Sequence, residues 1–462
     1  MSYDVIVIGA GPAGEAAAYL GRELGASVAV VEKDLAGGEC PFWACMPSKT
    51  LLAAATRRAV GADYPWERAS RRRDWMISRE DTDYPSDAGH VAGLEGAGVR
   101  FVRGEARLVG AGKVEVRSKG NGPQTLEGAN VIVAAGSAPV IPPIRGLDEA
   151  GYWTSREGTS LRELPSSIVV LGGGPVGVEL AQVYARFGVK TVLVEGHDRI
   201  LPRDHPRSSE VVTDQLRTEG IDVRTRVHAT AVRTGGEGRI LEMSDGGAVE
   251  GAELLVAVGR RAPDLRAMGL EEAGVELSER GTAGPDEQLR VGPGVFLAGD
   301  AAGGLMFTHV ADYEGRVTVA AAMGHPAKAD LGSVPRATFT DPEVGAVGLT
   351  VEEAQEQGID AFEVSQDFAS SARGFTLEPV RPSSGPILEG VPGHVTAVID
   401  RGRGLLAGAF AACPGASDLI HEAVLAMKHS VPVAVLADAI HAFPTASRVF
   451  GGVMVEATKQ LG

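Results

Sequence analysis

The 462-residue chain has a formal net charge of −16, with 44% hydrophobic residues, 5% aromatics, 62 glycines and three cysteines. Its length leaves room for about three domains, its acidic balance argues against a broad nucleic-acid-binding surface, and no apolar stretch reaches the ~18 residues of a membrane-spanning helix. Three cysteines do not make a disulfide framework, so a reducing cytoplasm is the expected compartment, where a thiol pair needs a chemical reason. The one dense basic run, Arg71-Arg72-Arg73, is expected to be a solvated helix face.

The first element runs from Asp4 to Lys33, "DVIVIGAGPAGEAAAYLGRELGASVAVVEK". An apolar β-branched strand leads into Gly9, Gly11 and Gly14, with Pro12 and Ala13 between the last two glycines. An amphipathic helix follows, then a second strand ending at Glu32 and Lys33. This is the G-x-G-x-x-G device in its full context, with an acid at the expected distance. The first glycine permits the tight turn, the second admits a pyrophosphate to the backbone, and the third lets helix and strand pack closely. The pyrophosphate sits on the helix N-terminus, where free N–H groups favour an anion.

Next comes "GGECPFWACMPSK", Gly37 to Lys49. The Cys40–Cys45 spacing is not that of common zinc sites, and no second cysteine pair accompanies it. A staple closing four residues would add little in a reducing compartment. The redox reading has a local argument. Pro41 suits the first helical position, which places Cys40 at the N-cap, where helix dipole and N–H groups favour thiolate. Five residues apart on a regular helix is too far for a disulfide, so the first turn is expected to be distorted. Gly38 and Glu39 precede the pair, and Phe42 and Trp43 lie inside it. Glu39, Phe42 and Trp43 line a substrate pocket or pack the helix start, two readings of equal weight.

"VIVAAGSAP" (Val131 to Pro139, containing Ala135 and Gly136) is an apolar strand ending in a glycine turn. The dinucleotide device then recurs from Ser167 to Gly196, with Gly172, Gly174, Pro175, Val176 and Gly177, and Glu195 closing the second strand. Two copies imply two different dinucleotides. In the second, Glu195 would repel a 2′-phosphate and no arginine occupies Gly196 or His197, so NADH is expected over NADPH, with Arg199 the one nearby cation. "LLVAVGRRAPD" (Leu254 to Asp264, containing Gly259) and "VFLAGDAAGG" (Val295 to Gly304, containing Gly299 and Asp300) repeat the strand-then-glycine pattern. Ligands bind at that edge of open α/β sheets. From about Val334 the glycine fingerprints cease and mixed strands and helices suggest a separate α+β domain.

In this order, and with "ATFTDPEVGAVGLT" (Ala337 to Thr350), the motifs resemble those of the flavoprotein disulfide reductases, the group of dihydrolipoamide dehydrogenase, glutathione reductase and mercuric reductase, nearly end to end. The resemblance implies an α/β fold with two Rossmann-like domains and a C-terminal α+β dimerisation domain. The expected boundaries are an FAD domain over 1–153 and 269–333, an NAD(P) domain over 154–268, and an interface domain over 334–462 that makes a homodimer. It implies FAD at Gly9, Gly11, Gly14 and Glu32, with Pro12, Ala13, Lys33, Gly38, Glu39, Lys49, Ala106, Ala135, Gly136 and Gly299 around it. By the same resemblance Asp300 holds the ribityl chain, Met306, Phe307, Thr308 and His309 open a helix facing the flavin pyrimidine, and Gly259 joins the nucleotide-binding residues. Lys49 and Glu179 match a pair beside the flavin N5 edge. Cys45 becomes the flavin-side thiol and Cys40 the interchange thiol, with electrons running from NADH to FAD, to the Cys40–Cys45 disulfide, and to a small-molecule acceptor. Cys413 is expected to be buried and structural.

One departure carries chemical weight. Relatives that reduce disulfides end in H-x-H-P-T-x-x-E, whereas this chain reads "HAFPTASR", His441 to Arg448. Phe443 replaces the acid–base histidine and Arg448 its glutamate. His441 keeps the first position and is expected to be structural. General acid–base catalysis contributes roughly 10²–10⁴-fold, so efficient disulfide turnover is put in doubt while the flavin half-reaction needs no such base. The 2-ketopropyl-coenzyme M oxidoreductase/carboxylase shows a similar Phe and a C-P-x-x-A-C motif, although this chain retains Pro47-Ser48-Lys49. The alternatives are thioether cleavage, reduction of a metal ion, quinone or oxidant, and a non-enzymatic flavin redox sensor. The chain end "MVEATKQLG" lacks the extra cysteine pair of mercuric reductases, which argues against mercury reduction.

Overall fold

The computed structural model describes residues 2–79, 84–120, 122–236, 238–380 and 390–462. Its chain forms two compact units, one of residues 1–47, 71–140 and 259–330, the other of residues 48–70, 141–258 and 331–462.

In the first unit the strands Val295–Leu297, Gln124–Val133, Ser2–Ile8, Val28–Glu32 and Arg100–Arg103 lie side by side and parallel. Val5 pairs with Val28, and Ile6 with Val131. Their continuous Val/Ile runs are the signature of strands buried on both faces, and Val5 to Val7 are fully buried. Helices Pro12–Glu23 and Thr308–Ala322 cover one face. They approach closely because a side chain is missing: a Cβ on Gly315 would fall 2.2 Å from the Ala13 carbonyl oxygen.

The second unit holds a parallel sheet of Asp222–Arg224, Lys190–Val194, Ser167–Leu171 and Glu253–Val256. It also holds an antiparallel sheet in the order Arg336–Thr338, Val344–Gly348, Leu405–Ala412, His394–Asp400, Ala361–Asp367. Helices Ala416–Lys428 and Ala446–Leu461 pack on that antiparallel sheet. The chain is thus a mixed α/β protein with two dinucleotide-type parallel sheets and an α+β C-terminal part.

Helix Pro175–Arg186 is fastened to the segment after strand Arg336–Thr338 by polar groups at successive turns. The Phe339 N–H donates to Glu179 Oε1 (2.8 Å). Gln182 and Asp341 exchange two bonds of 2.8 and 2.9 Å. Arg186, with its side chain 2% exposed, is paired with Glu219 (2.8 Å) and Asp341 (3.0 Å). A second buried polar group lies where helix Pro206–Thr218 starts: His394 bonds Ser208 Oγ (2.9 Å) and Thr396 Oγ1 (2.8 Å), and burial pushes its ring down to about 3, so it stays neutral.

The basic run is corrected in one respect. Arg71 and Arg72 are exposed, but Arg73 is fully buried and forks onto Asp74 at 2.7 and 3.0 Å. Removing one partner of a buried ion pair leaves the other uncompensated, at a cost of about 3–5 kcal/mol. Arg186→Ala should lose stability of that order in urea unfolding, because Glu219 and Asp341 would then face each other without a cation.

Candidate active site

Both glycine turns are built alike. Gly9 and Gly172 have φ of +101° and +112°, and a Cβ on either would meet a carbonyl oxygen at 2.3 and 2.4 Å. Gly14 and Gly177 are tighter, with a Cβ 1.9 Å from the Gly9 and Gly172 oxygens respectively. The middle glycines differ in kind. A Cβ on Gly174 would meet nothing within 4 Å, and one on Gly11 only Gly38 Cα at 3.9 Å. Each caps a helix that starts with proline and has no side-chain cap, so the first N–H groups have no side-chain acceptor. Open space over a bare helix N-terminus fits a pyrophosphate. The acids close the turns from behind: Glu32 accepts from Ala10 N–H and Asp34 N–H (2.7 Å each), and Glu195 from Gly173 N–H (2.6 Å) and His197 N–H (2.8 Å).

The cysteine stretch leaves the first turn by Gly37 and Gly38, with φ of +102° and +69°. A Cβ on Gly38 would lie 2.8 Å from Gly11 Cα, so the thiol loop is seated on the dinucleotide turn. A short helix, Glu39–Trp43, is broken at Ala44 (φ −128°, ψ −103°) before a longer one, Cys45–Ala59, begins. The expected distortion between the cysteines is therefore a break. The N-cap assignment is corrected: Gly38, not Cys40, occupies that position, and Cys40 and Pro41 are the second and third helical residues. The two positive-φ glycines start the helix early. Both thiols are half-buried, and Cys45 Sγ lies 3.3 Å from Thr308 Oγ1, at the start of helix Thr308–Ala322.

Of the two readings of Phe42, packing holds: it is 1% exposed, with its ring 5.7 Å from those of Trp43 and His90, at the helix start. Glu39 instead meets Arg260. The Arg260 guanidinium donates from Nη1 to Glu39 Oε2 (3.1 Å), from Nε to Ser137 Oγ (2.7 Å) and from Nη2 to the Ser137 carbonyl (2.8 Å). Ser137 Oγ donates in turn to Asp300 Oδ2. The N–H of Gly299, beside Asp300, donates to buried Glu314 Oε2 (2.7 Å). Burial pushes the Glu314 carboxyl up to about 7; the Gly299 bond holds it down, and the Asp300 charge raises it further.

Lys49 lies one turn beyond Cys45 on the same helix. Its Nζ bonds Glu179 Oε2 at 2.7 Å and stands 4.8 Å from the centre of the Phe339 ring. Glu179 is 2% exposed, so one buried carboxylate serves Lys49 with one oxygen and the Phe339 N–H with the other. Cys413 is buried, which pushes its thiol up to about 12 and removes it from thiolate chemistry. Phe443 is 75% exposed in the isolated chain. His441 bonds Glu422 through Nε2 (2.8 Å) and its ring abuts Gly451. Among the described residues no group of His, Cys, Asp and Glu could hold a metal ion, and no helix is long and apolar enough to cross a membrane.

The sequence matches the family described as "Pyridine nucleotide-disulphide oxidoreductase" over residues 3–315 and its dimerisation domain over residues 334–453. The chain belongs to the pyridine nucleotide-disulphide oxidoreductase family. It is similar to the dihydrolipoyl dehydrogenase of Bacillus subtilis (34% identical, covering 96% of this chain and 94% of the relative). It is equally similar to the mercuric reductase of Streptomyces lividans (34% identical, 96% and 94% covered). Among solved structures it resembles the Cu(II) complex of the HOCl-induced flavoprotein disulfide reductase RclA from Escherichia coli, at a TM-score of 0.86 and 25% identity over 99% of each chain.

Members of this family depend on FAD and bind a pyridine nucleotide. Of the residues expected around FAD, Gly9, Gly11, Pro12, Ala13, Gly14, Glu32, Gly38, Glu39, Gly136, Gly299, Asp300 and Thr308 lie in the first unit, as do Lys33, Ala106, Ala135, Met306 and Phe307. Lys49, also expected around FAD, lies in the second with Gly172, Gly174, Pro175, Val176, Gly177, Glu179 and Glu195, whereas Gly259 falls in the first, where its carbonyl accepts from Val140 N–H (2.9 Å). Sequence reasoning passed over Ser137, Arg260, Glu314 and Phe339. The first two and the last sit inside the quoted motifs, but nothing in a motif tells which of its side chains meets which.

Three outcomes test this geometry. Gly177→Ala should cost about 1–3 kcal/mol in urea unfolding by overpacking. Gly174→Ala should leave stability within about 0.5 kcal/mol while weakening pyridine-nucleotide binding measured by titration. For Glu314 the folded carboxyl is raised above its ordinary 4.5, so its contribution is whole below that pH and is lost as pH rises through about 7. Stability should fall by about 1.4 kcal/mol per pH unit across that window, and Glu314→Gln should flatten the slope of melting temperature against pH.

Proposed function

We propose that the chain is an FAD-dependent NADH oxidoreductase whose Cys40–Cys45 pair passes electrons to a small-molecule acceptor. The supporting observation is the break at Ala44, which frees two thiols five residues apart from one regular helix, with Cys45 against Thr308 and Cys40 on the short outer segment. FAD, when bound, supplies the two-electron relay between nicotinamide and disulfide. The chain's own residues prepare that relay. Gly11 and Gly174 leave room for the pyrophosphates, Asp300 would accept a ribityl hydroxyl, and Glu179 orients Lys49, whose charge would stabilise a thiolate.

NADH is the proposed nucleotide. Glu195 stands where a 2′-phosphate would come, and Arg199 is turned back on its own loop, its Nη2 donating to the Pro202 carbonyl (3.1 Å). A homodimer is proposed from the dimerisation domain, with Leu425, Val435, Ile440 and Phe443 exposed as the apolar surface a partner subunit would cover.

Phe443 favours a particular class of acceptor. An aromatic at the position of the proton donor suits acceptors that take electrons without a proton from this residue: a metal ion, a quinone, an oxidant, or a thioether cleaved by Cys40. A relative is named a mercuric reductase and a similar solved structure is titled a Cu(II) complex of a disulfide reductase, which supports a metal ion among these acceptors. Anaerobic stopped-flow mixing with NADH should give a long-wavelength thiolate–flavin charge-transfer band that Cys45→Ser abolishes; its persistence in that variant would refute the assignment. Lipoamide reduction should be slow and should rise about 10²-fold or more in Phe443→His/Arg448→Glu. Fast lipoamide turnover by the unaltered protein would remove the case for a different acceptor.

A further inference from the structure

We infer that Arg260 is a positioning residue for the flavin site, acting on Asp300 through Ser137 and tying the same point to the cysteine segment through Glu39. This deepens the proposed function and rests on its FAD reading.

The argument is one of hydrogen-bond direction. A guanidinium can only donate. Arg260 Nε donates to Ser137 Oγ at 2.7 Å, so the single hydroxyl proton of Ser137 is left for Asp300 Oδ2, which accepts it. The arginine charge polarises the hydroxyl and strengthens that second bond. Arg260 itself has little freedom: Nη2 donates to the Ser137 carbonyl, Nη1 to Glu39, and its backbone pairs in register with Pro139. Asp300 therefore enters the site with Oδ2 committed and Oδ1 making no hydrogen bond among the described residues, while Glu314 holds the neighbouring N–H of Gly299. A carboxylate fixed in this way presents one defined oxygen to a ligand hydroxyl, which lowers the ordering cost of binding. Four motifs far apart in the chain contribute one side chain each: Glu39 from the cysteine stretch, Ser137, Arg260, and Asp300.

The test is FAD uptake by apoprotein, followed by flavin fluorescence, with the melting temperature of each apoprotein as a folding control. Arg260→Met and Ser137→Ala should each weaken FAD binding about 10–100-fold, the loss of one charge-assisted bond. In an Asp300→Ala background neither should weaken it further, because the route ends at that carboxylate. Arg260→Lys should recover part of the loss, and if Arg260→Met fails to fold, Arg260→Lys and Ser137→Ala carry the comparison. Unchanged FAD affinity in the single variants, or an Arg260 effect that persists without Asp300, overturns the inference. An unaltered apoprotein that takes up no FAD would overturn the parent reading instead.

Discussion

Main-chain contacts too close for any side chain set the geometry of both nucleotide units. Gly14 and Gly177 bring the start of each helix against the turn that precedes it, and the helix N–H groups can face a phosphate only because of that approach. The acid at the end of the second strand completes the device, for Glu32 and Glu195 hold the turn by its own N–H groups. A ligand ribose would compete for carboxylates that are already oriented. The site is therefore shaped before anything binds, and the ligand meets an arrangement with little left to order.

The same economy extends to the thiols. Gly38 sits back to back with Gly11, so the loop that delivers Cys40 is built on the turn that would receive a pyrophosphate. Glu39 then reaches Arg260 and, through Ser137, Asp300. In the second unit Glu179 plays a comparable part by dividing its two oxygens between Lys49 and the Phe339 backbone. Lys49, Glu39 and Asp300 are thus each held by a group that comes from another segment.

What could be read from the sequence follows from range. The glycine turns are local: spacing, strand and helix lie within thirty residues and obey steric rules that any chain obeys. The break between the cysteines was also legible, because a regular helix cannot bring residues five apart together. The start of that helix was misplaced, since Pro41 at the first position was a propensity argument and two positive-φ glycines overrode it. Phe42 was undecided because packing and pocket use the same residue type, and Arg73 looked like its exposed neighbours until its burial was known. The links from Glu39 to Arg260 and from Ser137 to Asp300 join residues 221 and 163 positions apart, and no pattern in a single sequence pairs them.

The burial of Cys413 has a practical side. Of the chain's three thiols, Cys413 is held protonated and out of solvent, so alkylation of the folded protein counts Cys40 and Cys45 alone. On the proposed redox reading, two labels per chain mean a reduced pair and none a disulfide, while a third label marks unfolding. The same interior position that makes Cys413 chemically silent gives the molecule an internal reference for its own folding.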